Sequence, residues 1–235
     1  MNEIERIEIL VKAKDFFRNT LVKNHLKNTL KLKKLKEFKV NPFLEKYLAS
    51  FAFGDTSSES IAKALIYPRI LGTSITTSFG THMQNFCHEV LGGYASVVSG
   101  IDIEFVDATD NRKKFCQIKS GPSTINDGDI TSIKNDFGSI KNIARTNKLP
   151  NFNPNRDCIV GVFYGINSDL SGCYKQLHKE YPVYIGQEFW LRLTGDENFY
   201  NELIDAFASV AVEIDSTETI SEVIAALAIE IDAIC

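Results

Sequence analysis

The sequence predicts a mixed α/β fold: a central sheet flanked by helices, with a helical segment at the N-terminus. Three observations carry this reading. Residues 101–105 and 116–119 alternate polar and apolar side chains on either side of a turn-forming stretch. Cys158 to Gly165 is a continuous apolar run of the kind that forms a strand buried on both faces. Apolar residues recur at helical spacing before residue 50 and again after residue 187. Strands preceded and followed by helices give a mixed sheet with helical layers.

Taken in order, residues 1 to 50 read as helical and basic, with a break near Asn41-Pro42. Thr81 to Leu91 reads as a helix with Thr81 as N-cap, Gln84 as its capping-box partner and Gly92-Gly93 as the stop. Ile101 to Phe105 and Phe115 to Lys119 read as a hairpin, with Asp110-Asn111 in the turn. On these strands Asp102 shares a face with Glu104, and Gln117 with Lys119, while Ile101, Ile103, Cys116 and Ile118 point the other way. Beyond the strand at 158–165, Tyr181 to Ile185 is a further strand. Helices follow from Phe189 to Gly195, from Asn198 to Val212 and from Thr217 to Ile234. The last carries a stripe of Ile220, Val223, Ile224, Leu227 and Ile231.

Composition points to a soluble globular chain. Apolar residues make up 44% and charged residues 24% of 235, ordinary values for a packed domain. No apolar run is long enough to span a membrane, and no signal peptide is recognised, so a cytoplasmic location is expected. The cysteines (Cys87, Cys116, Cys158, Cys173 and Cys235) are odd in number and form no C-x-x-C pair, as for reduced thiols with no zinc site.

The net charge of −4 conceals an asymmetry. Residues 1 to 50 hold twelve Lys/Arg against six acids, and residues 185 to 235 hold one Arg against eleven acids. Lys27, Lys31 and Lys34 fall on one face of a predicted helix, as a phosphate-tracking surface or as an ordinary solvated face. A second basic run, Lys134, Lys141, Arg145 and Lys148, is interleaved with asparagines and follows Lys119 closely. It is the better candidate for contact with a nucleic acid.

The hairpin carries the chemistry. A phosphodiester is already anionic, so its hydrolysis calls for a hard cation to neutralise charge and activate water. Mg²⁺ takes oxygen ligands, one or two of them carboxylates. Asp102 offers a carboxylate, Gln117 an amide oxygen, and the Ile118 carbonyl lies between the two polar side chains. Lys119 is suited to orient or help deprotonate water and to offset negative charge. Glu89, at the end of its helix, is a further carboxylate able to overhang the hairpin. Ser120 and Asn126 suit either phosphate contact or the shaping of the loop through Pro122 and Gly128. His82 and His88, six residues apart, share no helix face and are not assigned to the site. The plainer reading of Asp102 and Lys119 is an exposed cross-strand ion pair.

Glu89, then Asp102, then Gln117-Ile118-Lys119 resembles the PD-(D/E)xK nuclease superfamily. The longer runs Thr77-Ser78-Phe79-Gly80-Thr81, Gln117-Ile118-Lys119-Ser120-Gly121-Pro122 and Tyr181 to Trp190 resemble type II restriction endonucleases that cleave GGNCC-like palindromes. The resemblance spans roughly residues 40 to 235 and implies a restriction-endonuclease-like sheet, Mg²⁺, double-stranded DNA as partner, 5′-phosphate products and a prokaryotic source. It implies a nuclease domain over 46–235 and a basic helical segment over 1–45 serving dimerisation or DNA contact. Two active sites on a palindrome imply a homodimer. The chain departs from the superfamily pattern twice: Gly100-Ile101 precedes Asp102 where proline is common, and Gln117 replaces an acid. Two alternatives stand beside this reading, a repair or mobile-element nuclease and a catalytically silent DNA-binding protein.

Overall fold

The computed structural model describes residues 2–91 and 94–234, without the side chains of Gln84, Cys87 and His88. The helical N-terminal half comprises α1 (Glu3–Phe16), α2 (Lys23–Lys31), α3 (Pro42–Phe53), α4 (Ser58–Pro68) and α5 (Ser74–Glu89). Strands β1 (Ile103–Val106) and β2 (Lys113–Lys119) follow, then α6 (Asp127–Thr146), the single turn α7 (Pro154–Asp157) and β3 (Cys158–Val162). The chain continues through α8 (Gly172–Leu177), β4 (Val183–Ile185), α9 (Gln187–Thr194), α10 (Phe199–Ile214) and α11 (Thr217–Asp232).

The four strands form one mixed sheet in the order β1-β2-β3-β4. β1 and β2 are the expected antiparallel hairpin, and Asn111 in its turn adopts a positive φ, which asparagine tolerates better than most residues. β2, β3 and β4 are parallel. Every residue of β3 is buried, as its unbroken apolar run requires.

The chain divides into two compact units, residues 1–16 with 82–207 and residues 17–81 with 208–235. In the first, one face of the sheet packs Phe115, Val160 and Val162 against Ile130, Ile133, Phe137 and Ile140 of α6 and Tyr174 and Leu177 of α8. The other face carries an aromatic cluster. Phe86 and Trp190 each meet the Phe163 ring edge-on, at 5.4 and 4.9 Å between centroids, and Trp190 Nε1–H donates to the Phe163 carbonyl at 3.0 Å. A Cβ at Gly161 would lie 2.4 Å from the Phe189 ring, so only glycine lets that ring close on β3. In the second unit, Val223, Ile224, Leu227 and Ile231 of α11 pack with Ile61, Ala62 and Ile66 of α4. That is the stripe expected for α11.

Several local expectations are corrected. Thr81 caps nothing: it lies inside α5, with its hydroxyl donating to the Thr77 carbonyl at 3.0 Å. Its expected partner Gln84 and the stop at Gly92-Gly93 lie outside the described side chains and residues. The break near Asn41-Pro42 falls where α3 opens, with Asn41 accepting from the Phe43 amide at 3.0 Å. The apolar run from 158 leaves the sheet after Val162 and reaches a positive φ at Gly165. Ile101 packs with the α6 layer, not with Ile103, because it precedes β1 and escapes the strand alternation. The α9, α10 and α11 helices stand where expected.

Candidate active site

The site is built where the chain enters β1. In the hairpin Ile103 opposes Cys116 and Glu104 opposes Phe115. Asp102 sits one residue before the strand, half-buried, with its amide donating to the Cys116 carbonyl at 3.0 Å. Its Oδ2 accepts from the Ile118 amide at 2.6 Å. A residue in a strand projects its N–H and C=O towards the same edge, so the Ile118 carbonyl also faces the β1 side. Asp102 and the peptide of Ile118 therefore meet at one edge of β2.

Gln117 is the neighbouring group and is only 5% exposed. Its Nε2 donates to the Gly100 carbonyl at 2.6 Å and to Asp136 Oδ2 at 2.7 Å. Among the described residues no hydrogen bond reaches its Oε1. Lys119 closes β2 two residues on, on the same face as Gln117, half-buried and opposite Val162 of β3. It makes no ion pair among the described residues, so a cross-strand pair with Asp102 is not what holds it. Glu89 is exposed at the end of α5, the helix whose Phe86 packs on the opposite face of the sheet, and it contacts none of these groups among the described residues.

Asp136, on α6, was not anticipated. Gly100 has a φ of +80°, and a Cβ there would lie 2.5 Å from the Asp136 carboxyl carbon. The bare glycine lets the helix acid reach the Gln117 amide. In sequence Asp136 is one more acid flanking an apolar stripe, and nothing there separates it from a solvated one.

The other acids of the hairpin are engaged elsewhere. Glu104 bonds the Ser96 hydroxyl at 2.6 Å and the Lys113 ammonium at 2.7 Å. Burial pushes its carboxyl up, but these two partners outweigh that and hold it below the ordinary range. Asp107 is fully buried between Arg192 (3.0 Å) and Lys114 (3.7 Å) and accepts from the Thr109 amide at 2.8 Å, a structural role.

The candidate DNA contacts separate into groups. Ser120 is half-buried directly after Lys119. Asn126 caps α6, its side chain accepting from the Gly128 and Asp129 amides, while its own amide donates to the Asp129 carboxylate. Lys134, Lys141 and Arg145 are spaced seven and four residues apart and line one side of α6. The apolar stripe of Ile133, Phe137 and Ile140 runs between them and Asp136, so the basic row faces away from the Gln117 side. Lys134 is paired with Glu180, while Lys141 and Arg145 are exposed. Lys31 bonds Asn28 at 3.1 Å at the end of α2. Lys34 lies past that helix in extended backbone, so the single face expected for Lys27, Lys31 and Lys34 does not form. Lys34 pairs with Glu230 at 2.8 Å, Lys33 with Glu222 at 3.3 Å and Arg18 with Glu213 at 2.5 Å. The charge asymmetry of the chain is thus partly neutralised inside the second unit.

The Asp102 carboxylate, the Gln117 amide oxygen and the Ile118 carbonyl are all hard oxygen donors, and they suit a divalent cation of the Mg²⁺ class. Among the described residues no group of three or more His, Cys, Asp or Glu is placed to hold a metal ion. Among those residues no helix is long and apolar enough to cross a membrane.

The model of the family described as type II restriction endonuclease EcoO109I matches residues 7–215. No curated protein matches the chain. The matched segment contains the hairpin, α6 and the whole sheet, and enzymes of this family generally use a divalent metal. The chain belongs to the EcoO109I family of type II restriction endonucleases: it is a site-specific deoxyribonuclease, a hydrolase that acts on DNA.

Proposed function

We propose that this protein hydrolyses phosphodiester bonds of double-stranded DNA at a short palindromic site, GGNCC-like, in a Mg²⁺-dependent reaction that leaves 5′-phosphate ends. Asp102, Gln117 Oε1 and the Ile118 carbonyl hold the cation. When bound, Mg²⁺ neutralises charge on the scissile phosphate and lowers the pKa of a water. Lys119 orients that water, assists its deprotonation and offsets the charge that develops on the phosphoryl oxygens. Glu89 is assigned as an outer carboxylate on the resemblance alone, since it bonds none of these groups among the described residues. Ser120 and Asn126 border the phosphate path, and Lys134, Lys141 and Arg145 hold the duplex further off. Lys31, Lys34 and the rest of residues 1–45 serve the dimer contact or DNA. A homodimer cuts both strands, because a palindrome presents the same bond twice about a dyad. Such an enzyme works in the cytoplasm of a prokaryote.

The observation that carries this reading is the 2.6 Å bond from the Ile118 amide to Asp102, which ties the motif acid to the strand bearing Gln117 and Lys119. The test is incubation of purified protein with unmethylated plasmid, with Mg²⁺ and with EDTA, beside Lys119→Ala. Discrete fragments that require both Mg²⁺ and Lys119 support the reading, and their ends give the recognition site. Intact plasmid that is nevertheless bound by folded protein would overturn it in favour of a silent DNA-binding protein.

A further inference from the structure

Gln117 stands where the superfamily pattern has an acid, and its surroundings explain the exchange. Its Nε2 faces two acceptors, the Gly100 carbonyl at 2.6 Å and Asp136 Oδ2 at 2.7 Å. An amide nitrogen has two N–H groups to offer them, whereas a carboxylate oxygen has none. Turning the amide over would set Oε1 against both oxygens, so the contacts fix which end of the side chain faces Asp136 and which faces away. Asp136 reaches this point because Gly100 lacks a Cβ.

We propose that Asp136 is a positioning residue of the cation site. It clamps the Gln117 amide so that Oε1 is the end presented on the Asp102 side, and it brings from α6 the negative charge that Gln117 lacks. Gln117 is then no eroded acid. The pocket is shaped for an amide, and the second carboxylate has moved one side chain outward. The inference rests on the assignment of Asp102, Gln117 and Ile118 to the cation made above.

The test is calorimetric titration of the full-length protein with Mn²⁺ alone, with thermal unfolding in EDTA as the check on folding. Asp136→Asn keeps an acceptor for Gln117 Nε2 but removes the charge, and should weaken Mn²⁺ binding by about ten- to a hundredfold. Its unfolding midpoint without cation should stay close to that of the parent. Gln117→Glu, which nominally restores the superfamily acid, should not tighten binding, because the new oxygen meets both Gly100 and Asp136. In the double variant Gln117→Glu with Asp136→Asn, the amide and the acid exchange places, and binding should recover most of the loss seen with Asp136→Asn. If Asp136→Asn binds Mn²⁺ like the parent, or Gln117→Glu alone binds it more tightly, the positioning role is overturned while the cation site stands. If the parent itself takes up no Mn²⁺ and Asp102→Asn changes nothing, the cation site falls, and this inference falls with it.

Discussion

The Ile118 amide and the Asp102 carboxylate lie 2.6 Å apart, so the motif acid is bonded to the backbone of the strand that carries Gln117 and Lys119. The contact aligns the two halves of the hairpin just beyond their last regular pair, Ile103 with Cys116. A bond of this kind uses one carboxylate oxygen and fixes the plane of the group. Asp102→Asn keeps an acceptor for the Ile118 amide but loses the charge. We expect this variant to unfold like the parent and to lose cleavage by about a hundredfold or more. Single-turnover cleavage beside a melting curve checks both parts.

Lys119 differs from the charged groups around it in being half-buried without an ion-pair partner among the described residues. Its removal therefore breaks no ion pair among the described residues. Lys119→Ala should reduce cleavage by about a hundred- to ten-thousandfold, the range for loss of a proton-transfer group. DNA affinity measured with Ca²⁺ in place of Mg²⁺ should change little. A matching loss of affinity would show Lys119 to be a phosphate anchor rather than a participant in the reaction.

Lys114 illustrates the opposite case. It is buried, bonds Asp110 at 2.7 Å and the Arg156 carbonyl at 3.0 Å, and lies 3.7 Å from the buried Asp107. Taking away the ammonium leaves buried acceptors behind with only Arg192 to balance Asp107. Lys114→Met should cost about 3 kcal/mol or more in urea unfolding. A loss under 1 kcal/mol, roughly the value of a surface pair, would mean that water reaches the network.

Two glycines give a paired test of packing. A methyl at Gly161 would meet the Phe189 ring at 2.4 Å, and the ring is held in a filled aromatic cluster. Gly161→Ala should destabilise the protein by about 1–3 kcal/mol. At Gly138, inside α6, a Cβ meets nothing within 4 Å. Gly138→Ala should stabilise by about 0.5–1 kcal/mol through helix propensity. Equal effects of the two substitutions would contradict the packing described for β3.

The hairpin is legible in sequence because alternation and a turn signal agree over residues 101–119, and β3 because an apolar run has few other places to go. Asp136 is not legible, since its meaning depends on Gly100 lacking a side chain at a point thirty-six residues earlier. The end of α2 is likewise set from a distance. Glu230 takes the Leu35 amide at 2.6 Å, and Leu32 is buried against α11's layer, so tertiary contacts break a periodicity that reads as one helix through Lys34. Thr81 looks like a cap because threonine favours caps, but a threonine can also return its hydroxyl to the carbonyl four residues back, as it does here.

The pair Glu104 and Lys113 sets an expectation for acid. Because the folded carboxyl is held below its ordinary range, the pair stabilises the fold above the unfolded pKa and loses that contribution as pH falls through the folded value. Stability should therefore drop on the acid side, as pH falls from the ordinary carboxylate range through the lower folded one. Glu104→Gln, which keeps an acceptor for Ser96 but cannot titrate, should flatten that part of the curve. Melting temperatures of the two proteins across this range decide it.

The basic residues can be ranked by what already occupies them. Lys34 is held by Glu230, and leaving it for a phosphate would break an ion pair. Lys141 and Arg145 are exposed on one side of α6, free of ion pairs among the described residues, and available to DNA at little cost. A phosphate contact adds about one unit to the slope of log affinity against log salt, whatever the base sequence. Lys141→Ala with Arg145→Ala should therefore lower affinity for cognate and random duplexes alike and reduce that slope by up to about two. Lys34→Ala should leave the slope nearly unchanged. Because the α6 row faces away from Asp136, saturating DNA should restore the cleavage rate of the double variant. A rate that stays low at saturation would place these two side chains beside the scissile phosphate after all, and would require the duplex to cross α6 on the Asp136 side.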